Sequence, residues 1–283
     1  MVGYVDDGAF SYASENPSIL SNVLTKKFDR LAGWMTANKL VNNPDKTHLV
    51  VMGKKRHNAK RQEVSMMAGD HVVKPSEAEK LLGCHIHQNL EWNLHLRDHR
   101  SSLLNNLIQR MNGFKKLCRN ASFDTRLMIA NCVIMSKLTY LITLWGGAQQ
   151  YLLRALQVQQ LAAARLVCGV ESGKWSKRKL LDRVGWLSVK QLVFYHTVLQ
   201  AQKTLNTGVP KYLYHSLSTE YPRLTRSAAS GLIRQNEGFL STATFKYRAS
   251  VFYNSVPMDI RTGSTVSVKR KLKKWIASNI PID

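Results

Sequence analysis

The sequence predicts an α+β fold, with a small antiparallel sheet and one helix in the first 90 residues and mainly helices afterwards. Short apolar runs separated by turn residues fill the first part, a pattern typical of β-hairpins. From Trp92 onward, apolar residues recur three or four positions apart, which is the spacing of amphipathic helices. We therefore expect three regions, at 1–90, 91–168 and 169–283.

Two adjacent carboxylates, Asp6 and Asp7, stand at the start of the chain between Gly3 and Gly8. Glycines so close together predict a tight hairpin tip. Carboxylate oxygens are ligands that Mg²⁺ prefers, and paired metal ions catalyse phosphoryl transfer. An Asp-Asp pair beside glycine is also common in solvated turns, so the pair by itself leaves both interpretations open.

The first helix is predicted to begin at Pro17, because proline is favoured in a first helical turn, and to end within 38–43. Its apolar residues recur at spacings of three and four and define one face, formed by Leu20, Leu24, Phe28, Leu31 and Met35. Gly69 and Asp70 predict a hairpin turn. The expected strand-like runs are 48–53, 64–73 and 80–87.

The second part should be helical, with a cap at Ser122 or Asp124 opening one of the helices. That helix has an apolar face that continues to Trp145. The segment 211–238 lacks periodicity and is predicted to be a loop or partly disordered. The other helices are expected at about 95–116, 149–167, 188–204 and 267–278.

Several motifs occur in a fixed order along the chain: Tyr-Val-Asp-Asp at 4–7, Trp-Met-Thr-Ala-Asn-Lys-Leu at 34–40, Asn-Pro-Asp-Lys-Thr at 43–47 and Leu-Leu-Gly at 81–83. Together with the helix between them, they resemble the second half of a reverse transcriptase palm from non-LTR (LINE-like) retrotransposons. The segments 245–249, 253–257 and the basic 269–275 resemble the tail of such open reading frames. The resemblance spans nearly the whole chain.

The resemblance implies an RNA-directed DNA polymerase, with a partial palm at 1–90 and a helical thumb at 91–168. Asp6 and Asp7 would bind Mg²⁺, and Lys46 would lie near the incoming triphosphate and protonate the departing pyrophosphate. Leu82 and Gly83 would belong to the primer grip. The implied partners are an RNA template and a DNA primer duplex.

Members of this family carry their fingers and a first catalytic aspartate ahead of the region matched here. Loss of one ligand of a two-metal site removes charge stabilisation at the reacting phosphate. We therefore expect the isolated chain not to polymerise DNA, and Mg²⁺ to act only in a complete enzyme whose missing half is supplied in cis or in trans. A non-catalytic nucleic-acid-binding module and a decayed relic remain open as alternatives.

The charge of the chain also predicts a polyanionic partner. Lys and Arg number 41 and Asp and Glu 18, which leaves a formal net charge of +23. Nucleic acid is the natural partner, through phosphate contacts that release counterions. Lys115, Lys116 and Arg119, at a predicted helix end, are candidate phosphate contacts and could equally complement the helix dipole. The longest uncharged run, 138–153, is too short to span a membrane.

A second basic run, at 174–179, contains Trp175. An aromatic ring beside cations can stack on unpaired bases. A lone tryptophan more often packs on a hydrophobic core, and we expect this for Trp175.

The four cysteines are far apart in sequence, which predicts a reduced intracellular protein of the nucleus or cytoplasm. One segment is rich in ligands that zinc accepts. Because their spacing matches no established zinc motif, we expect no bound zinc. The residues concerned are Cys84, His85, His87, His95 and His99.

Overall fold

A computed structural model describes residues 2–4, 7–53, 58–217, 231–233 and 244–282 of the protein. The chain divides into two compact units, an N-terminal unit from Met1 to His95 and a C-terminal unit from Leu96 to Asp283. The predicted α+β class is confirmed, with helix dominating. The further division near residue 168 stays a prediction.

The N-terminal unit combines three two-stranded antiparallel hairpins with one long helix among its described residues. The first hairpin and the long helix come early, and the other two hairpins follow a short helix. In order, the elements are β1 Val2–Tyr4, β2 Asp7–Ala9, α1 Pro17–Ala37, a 3₁₀ turn Pro44–Lys46, α2 Asn58–Gln62, β3 Met66–Ala68, β4 His71–Val73, β5 Ala78–Leu81 and β6 Cys84–His87.

Helix α1 begins and ends as the sequence predicts. The Asn16 side chain accepts hydrogen bonds from the backbone N–H groups of Ser18, at 2.9 Å, and Ile19, at 3.3 Å. These bonds satisfy donors that lack partners in a first helical turn. Leu24 and Phe28 lie buried on the face that packs against β3. The core of this unit therefore lies between α1 and the second hairpin.

The hairpin prediction was right at Gly69 and incomplete further on. Gly69 lies at φ +64° between β3 and β4, as expected of a turn glycine. The run 80–87 is not one strand but belongs to a second hairpin, because Leu82 and Gly83 turn the chain between β5 and β6. Both residues have positive φ, at 47° and 79°, which is the backbone of a tight two-residue hairpin turn.

The strand predicted at 48–53 was wrong. Leu49 makes one isolated bridge, to Pro75, and its carbonyl oxygen accepts the backbone N–H of Ser76 at 2.9 Å. Proline has no N–H with which to extend a ladder, so the pairing stops there. The segment is nevertheless fixed, because Leu49 is buried in the core and the Gly53 N–H donates to the Gln88 carbonyl at 3.3 Å.

The C-terminal unit is helical wherever it has regular structure among its described residues. A π-helical turn, Leu94–Asp98, includes the residues at which one unit ends and the next begins in the sequence. The helices are α3 Leu103–Leu117, α4 Phe123–Ala130, a wide turn Asn131–Met135 that leads into α5 Ser136–Thr139, α6 Ile142–Trp145, α7 Gln150–Cys168, α8 Lys177–Val184, α9 Val189–Thr207, α10 Lys211–Ser216, α11 Phe245–Ser255, α12 Met258–Arg261 and α13 Thr265–Asn279.

Serine side chains set the starts of α4 and α3. Helix α4 begins after Ser122, whose hydroxyl accepts the Thr125 N–H at 3.3 Å, so serine and not Asp124 is the cap. The helix expected at 95–116 begins only at Leu103, because the Ser102 hydroxyl caps it there. The helices predicted at 149–167, 188–204 and 267–278 are confirmed as α7, α9 and α13.

Two other boundaries were wrong. The helix expected to continue to Trp145 ends at Thr139, because Leu141 adopts a left-handed conformation with φ 54° and breaks the regular hydrogen bonds. Within the segment predicted as a loop, Lys211–Ser216 forms α10. Residues 218–230 and 234–238 of that segment lie outside the described residues.

Candidate nucleic-acid interface

The carboxylate pair follows the first strand, β1, directly in the sequence after Val5. Asp6 is outside the described residues, and so is the side chain of Asp7, whose backbone lies in β2 opposite Tyr4. Immediately after β2, Phe10 packs against the core of α1 and β3. The Lys27 ammonium donates to the Ser11 carbonyl oxygen at 3.1 Å. The hairpin that carries the pair is therefore tied to α1.

Lys46 ends the exposed 3₁₀ turn after α1, and its side chain is exposed. The motif around it is held by its own polar side chains. The Asn43 side chain accepts the Asp45 N–H at 3.0 Å, and the Thr47 hydroxyl donates to the Asn43 carbonyl at 3.3 Å. Leu49 then enters the same core as Phe10, so one hydrophobic cluster anchors both the first hairpin and the Lys46 turn.

Leu82 and Gly83 form the tip of the β5–β6 hairpin, and Leu82 remains 43% exposed. The hairpin is linked to the Lys46 segment, because a His48 ring nitrogen lies 3.5 Å from the Glu79 carboxylate. Cys84, which directly follows the tip, is buried. An exposed apolar tip on an anchored hairpin can make contact with a bound macromolecule.

The residues considered as zinc ligands are partly buried and hydrogen-bonded within the protein. The His85 backbone N–H donates to Nδ1 of His95 at 3.4 Å. Burial, and to a lesser degree the neighbouring His85, lowers the pKa of His95 to about 4, and burial raises the pKa of the Cys84 thiol to about 11. No group of three or more His, Cys, Asp or Glu side chains among the described residues could hold a metal ion.

The cations predicted to contact phosphate lie together at the end of α3. Lys115 and Lys116 occupy its last turn, Arg119 follows one residue past the cap, and all three are exposed. The helix that carries them is firmly packed, because Leu107 and Phe114 are 0% and 1% exposed. The cluster is therefore a solvent-exposed positive surface on a helix that is well packed against the core.

Trp175 does not lie in the core, contrary to expectation. Its ring is only half-buried, and the Lys179 ammonium lies 4.6 Å from the ring centre. The ring lines an open surface depression together with Arg178, Asp182 and other residues of α8. The basic composition of 174–179 indicated this surface in the sequence, but we had expected the tryptophan to point inward.

No described helix is both long enough and apolar enough to cross a lipid bilayer. No protein-family model, curated protein or solved structure matches the chain.

Proposed function

We propose that this chain is the late palm, thumb and C-terminal part of an RNA-directed DNA polymerase of the non-LTR retrotransposon type. The observation that carries the proposal is the ordered set of motifs from Tyr-Val-Asp-Asp at 4–7 to Leu-Leu-Gly at 81–83. In the complete enzyme, Asp6 and Asp7 would hold Mg²⁺, which would supply Lewis-acid stabilisation of the negative charge that develops during nucleotidyl transfer.

The arrangement of the N-terminal unit supports these roles. A short hairpin carries the carboxylate pair, and a long helix links it to the exposed turn of Lys46. A cation at that turn can stabilise the negative charge that develops on a departing pyrophosphate. The exposed tip at Leu82 and Gly83 is available for contact with a primer strand.

A third metal ligand is not offered by the other described aspartates of this unit. Asp29 lies in α1, Asp45 in the 3₁₀ turn and Asp70 in a hairpin turn, and all three are exposed. Two-metal catalysis places its ligands on neighbouring elements of one site. The 283 residues alone are therefore expected to bind primer–template but not to extend it, and activity should require a complementing palm half.

The test begins with full-length cDNA that covers the 5′ end of the transcript. A frame that continues upstream into an Asp-bearing strand supports the proposal, whereas stop codons directly before Met1 exclude a palm half supplied in cis and leave one supplied in trans. The extended protein is then assayed by primer extension with Mg²⁺. Asp6→Asn and Asp7→Asn should each abolish synthesis, and Asp70→Asn, in an exposed turn, serves as the matched control. Equal rates in all four proteins would refute the assignment.

A second candidate is a non-catalytic module that binds nucleic acid. The net charge of +23 and the exposed cations at the end of α3 favour it. The two candidates differ at Asp6. If Asp6→Asn changes no measurable property while Lys115→Glu/Lys116→Glu abolishes binding, the chain is a binding module. Affinity that does not fall with salt contradicts both candidates, because phosphate contacts release counterions.

A further inference from the structure

We propose that α8 and α13 together form a surface that binds single-stranded nucleic acid, separate from the cations at the end of α3. This α8–α13 basic surface consists of Trp175, Arg178, Lys179 and Arg183 on one side and Lys269, Arg270 and Lys273 on the other. It rests on the nucleic-acid binding in the proposed function, and it is independent of the carboxylate pair and of catalysis.

Direct contact joins the two helices. The Lys273 ammonium donates to the carbonyl oxygen of Gly185, the residue that caps the end of α8, at 2.8 Å. Val268, Leu272 and Ile276 are the buried residues of α13. Helical periodicity places Lys269 on the same flank of α13 as Lys273, and Arg270 on the outer side of the helix next to them. Two basic segments far apart in sequence thus become one surface.

The positive charge of α13 is not balanced within the helix. Thr265–Asn279 contains five Lys and Arg residues and no Asp or Glu. Lys269 and Lys273 stand four residues apart, as do Arg270 and Lys274, and like charges at this spacing destabilise a helix. A bound polyanion would remove that repulsion.

The cations of α8 are also unfavourably placed for helix stability. Its first turn contains Arg178 and Lys179 and no acidic residue, although the helix dipole favours negative charge there. The neighbouring carboxylates offer little compensation: Asp182 lies 3.9 Å from Arg178, and both side chains are largely exposed. The contacts of these cations in the folded protein therefore offset only part of this cost, and a phosphate-bearing ligand would offset more of it.

Aromatic rings favour a single strand over a duplex. Lys179 lies over Trp175, and the Arg183 guanidinium lies 4.2 Å from the centre of the Phe123 ring. Proteins that hold single strands combine a positive groove with rings on which unpaired bases stack. A duplex keeps its bases stacked on each other and would use only the cations. The half-buried Trp175 in its open depression is the stacking position.

The first test measures binding of the full chain to an unstructured oligouridylate of about 16 nucleotides at several salt concentrations. Lys179→Glu/Lys269→Glu removes one cation from each helix of the surface. Lys271→Glu/Lys274→Glu is the matched control, with the same charge change on the opposite flank of α13, where Lys271 donates to the Asp259 carbonyl.

The test variant should bind at least about tenfold more weakly than the control, with a salt slope reduced by about 1.4 for two lost single-strand contacts. Equal losses in the two variants overturn the proposal. Binding to phosphatidylserine vesicles but not to the oligouridylate, at the same salt concentration, also overturns it.

The second test addresses stacking. Trp175→Ala should weaken oligouridylate binding by about tenfold and leave duplex binding almost unchanged, while Trp175→Phe keeps most of the affinity. Equal loss for single strand and duplex contradicts the stacking role. If Lys115→Glu/Lys116→Glu abolishes binding of both ligands and no α8–α13 variant has an effect, this inference fails while the proposed function stands.

Discussion

Two helices of the C-terminal unit carry clustered cations at opposite ends of their axes. In α3, Lys115 and Lys116 occupy the last turn, beside carbonyl groups whose partial negative charge they balance. In α8, the cations Arg178 and Lys179 occupy the first turn, beside N–H groups with partial positive charge. The helix dipole stabilises the first cluster and destabilises the second.

The difference shows which cluster is better evidence for a partner. Cations at the end of α3 contribute to folding whether or not nucleic acid binds, so their position by itself does not require a ligand. Cations at the start of α8 oppose helix formation, and a polyanion would offset that cost. Charge reversal should therefore have opposite effects on stability at the two ends, while weakening nucleic-acid binding at both.

The largest effect is expected from the core that anchors α3. Leu107 is 0% exposed, and Leu107→Ala should lower the free energy of unfolding by about 2–5 kcal/mol because it leaves a cavity. Leu117→Ala, on the same helix at 68% exposed, is the control and should change it by less than about 0.5 kcal/mol. Urea unfolding followed by circular dichroism measures both. Similar losses of unfolding free energy in the two variants would show that Leu107 does not anchor α3 in the core.

The next largest effect is a pH dependence of stability caused by His95, a basic residue that is buried, unlike the surface cations. The pKa of His95 is lowered from 6.5 to about 4 in the folded protein. Between these values the unfolded chain binds the extra proton, so stability falls as pH falls, by up to about 1.4 kcal/mol per pH unit. The stability that the folded protein gains from keeping His95 neutral is fully present above pH 6.5 and is lost as the pH falls toward 4.

Urea unfolding across this pH range checks the prediction. His95→Gln should flatten the pH dependence, whereas His99→Gln, at an exposed position, should not. His196, whose pKa burial also lowers, adds a slope of the same sign in both variants. An unchanged slope in His95→Gln would show that His95 is protonated in the folded protein.

Charge reversal at the end of α3 should have a smaller effect. Lys115→Glu/Lys116→Glu places negative charge at the negative end of the helix dipole and should reduce the free energy of unfolding by about 1 kcal/mol. The same variant should weaken duplex binding and its salt dependence. Lys115→Gln/Lys116→Gln should give roughly half of the stability loss. If neither double variant lowers the free energy of unfolding, the helix dipole does not explain the position of these cations.

The smallest effect, and the one with the opposite sign, is expected in α8. The Ser176 hydroxyl already accepts the Lys179 N–H at 3.2 Å, so Lys179→Glu would complete a capping box. The start of α9 has such a box, formed by Ser188 and Gln191. The completed capping box and the favourable interaction of Glu with the helix dipole should outweigh the loss of the exposed Lys179–Trp175 contact. The free energy of unfolding should therefore rise by about 0.5 kcal/mol.

Thermal and urea unfolding measure this gain, and oligouridylate binding should weaken in the same variant. Lys179→Gln is the control, since glutamine can also complete the box without adding negative charge. If Lys179→Glu destabilises the protein as much as the α3 reversal does, the contrast between the two helix ends is wrong.

Local signals explain most of the successful predictions. Asn16, Ser122 and Ser188 each cap a helix with hydrogen bonds to residues two or three positions away, so a short sequence window contains the whole interaction. The strand expected at 48–53 failed for the opposite reason. Its apolar pattern identified burial correctly for Leu49, but strand formation depends on a partner, and the partner is Pro75.

The candidate site divides in the same way. The motifs that contain Asp6, Asp7, Lys46, Leu82 and Gly83 are evident in the sequence, and their assignment to a polymerase stays a proposal. That Phe10 and Leu49 enter one core, which anchors two of these motifs, became evident only from the fold. Likewise, α8 and α13 each appear basic in the sequence, but their connection became evident only from the fold, through the hydrogen bond between Lys273 and Gly185.

The sequence by itself determined the α+β class, the capped helices and the excess positive charge, because composition, periodicity and capping act over a few neighbouring residues. The tertiary structure decided that Leu82 and Gly83 form an exposed tip, that Trp175 lies at the surface and that two basic helices meet. These features depend on contacts between residues distant in the chain, and no local pattern specifies which distant residues will pack together.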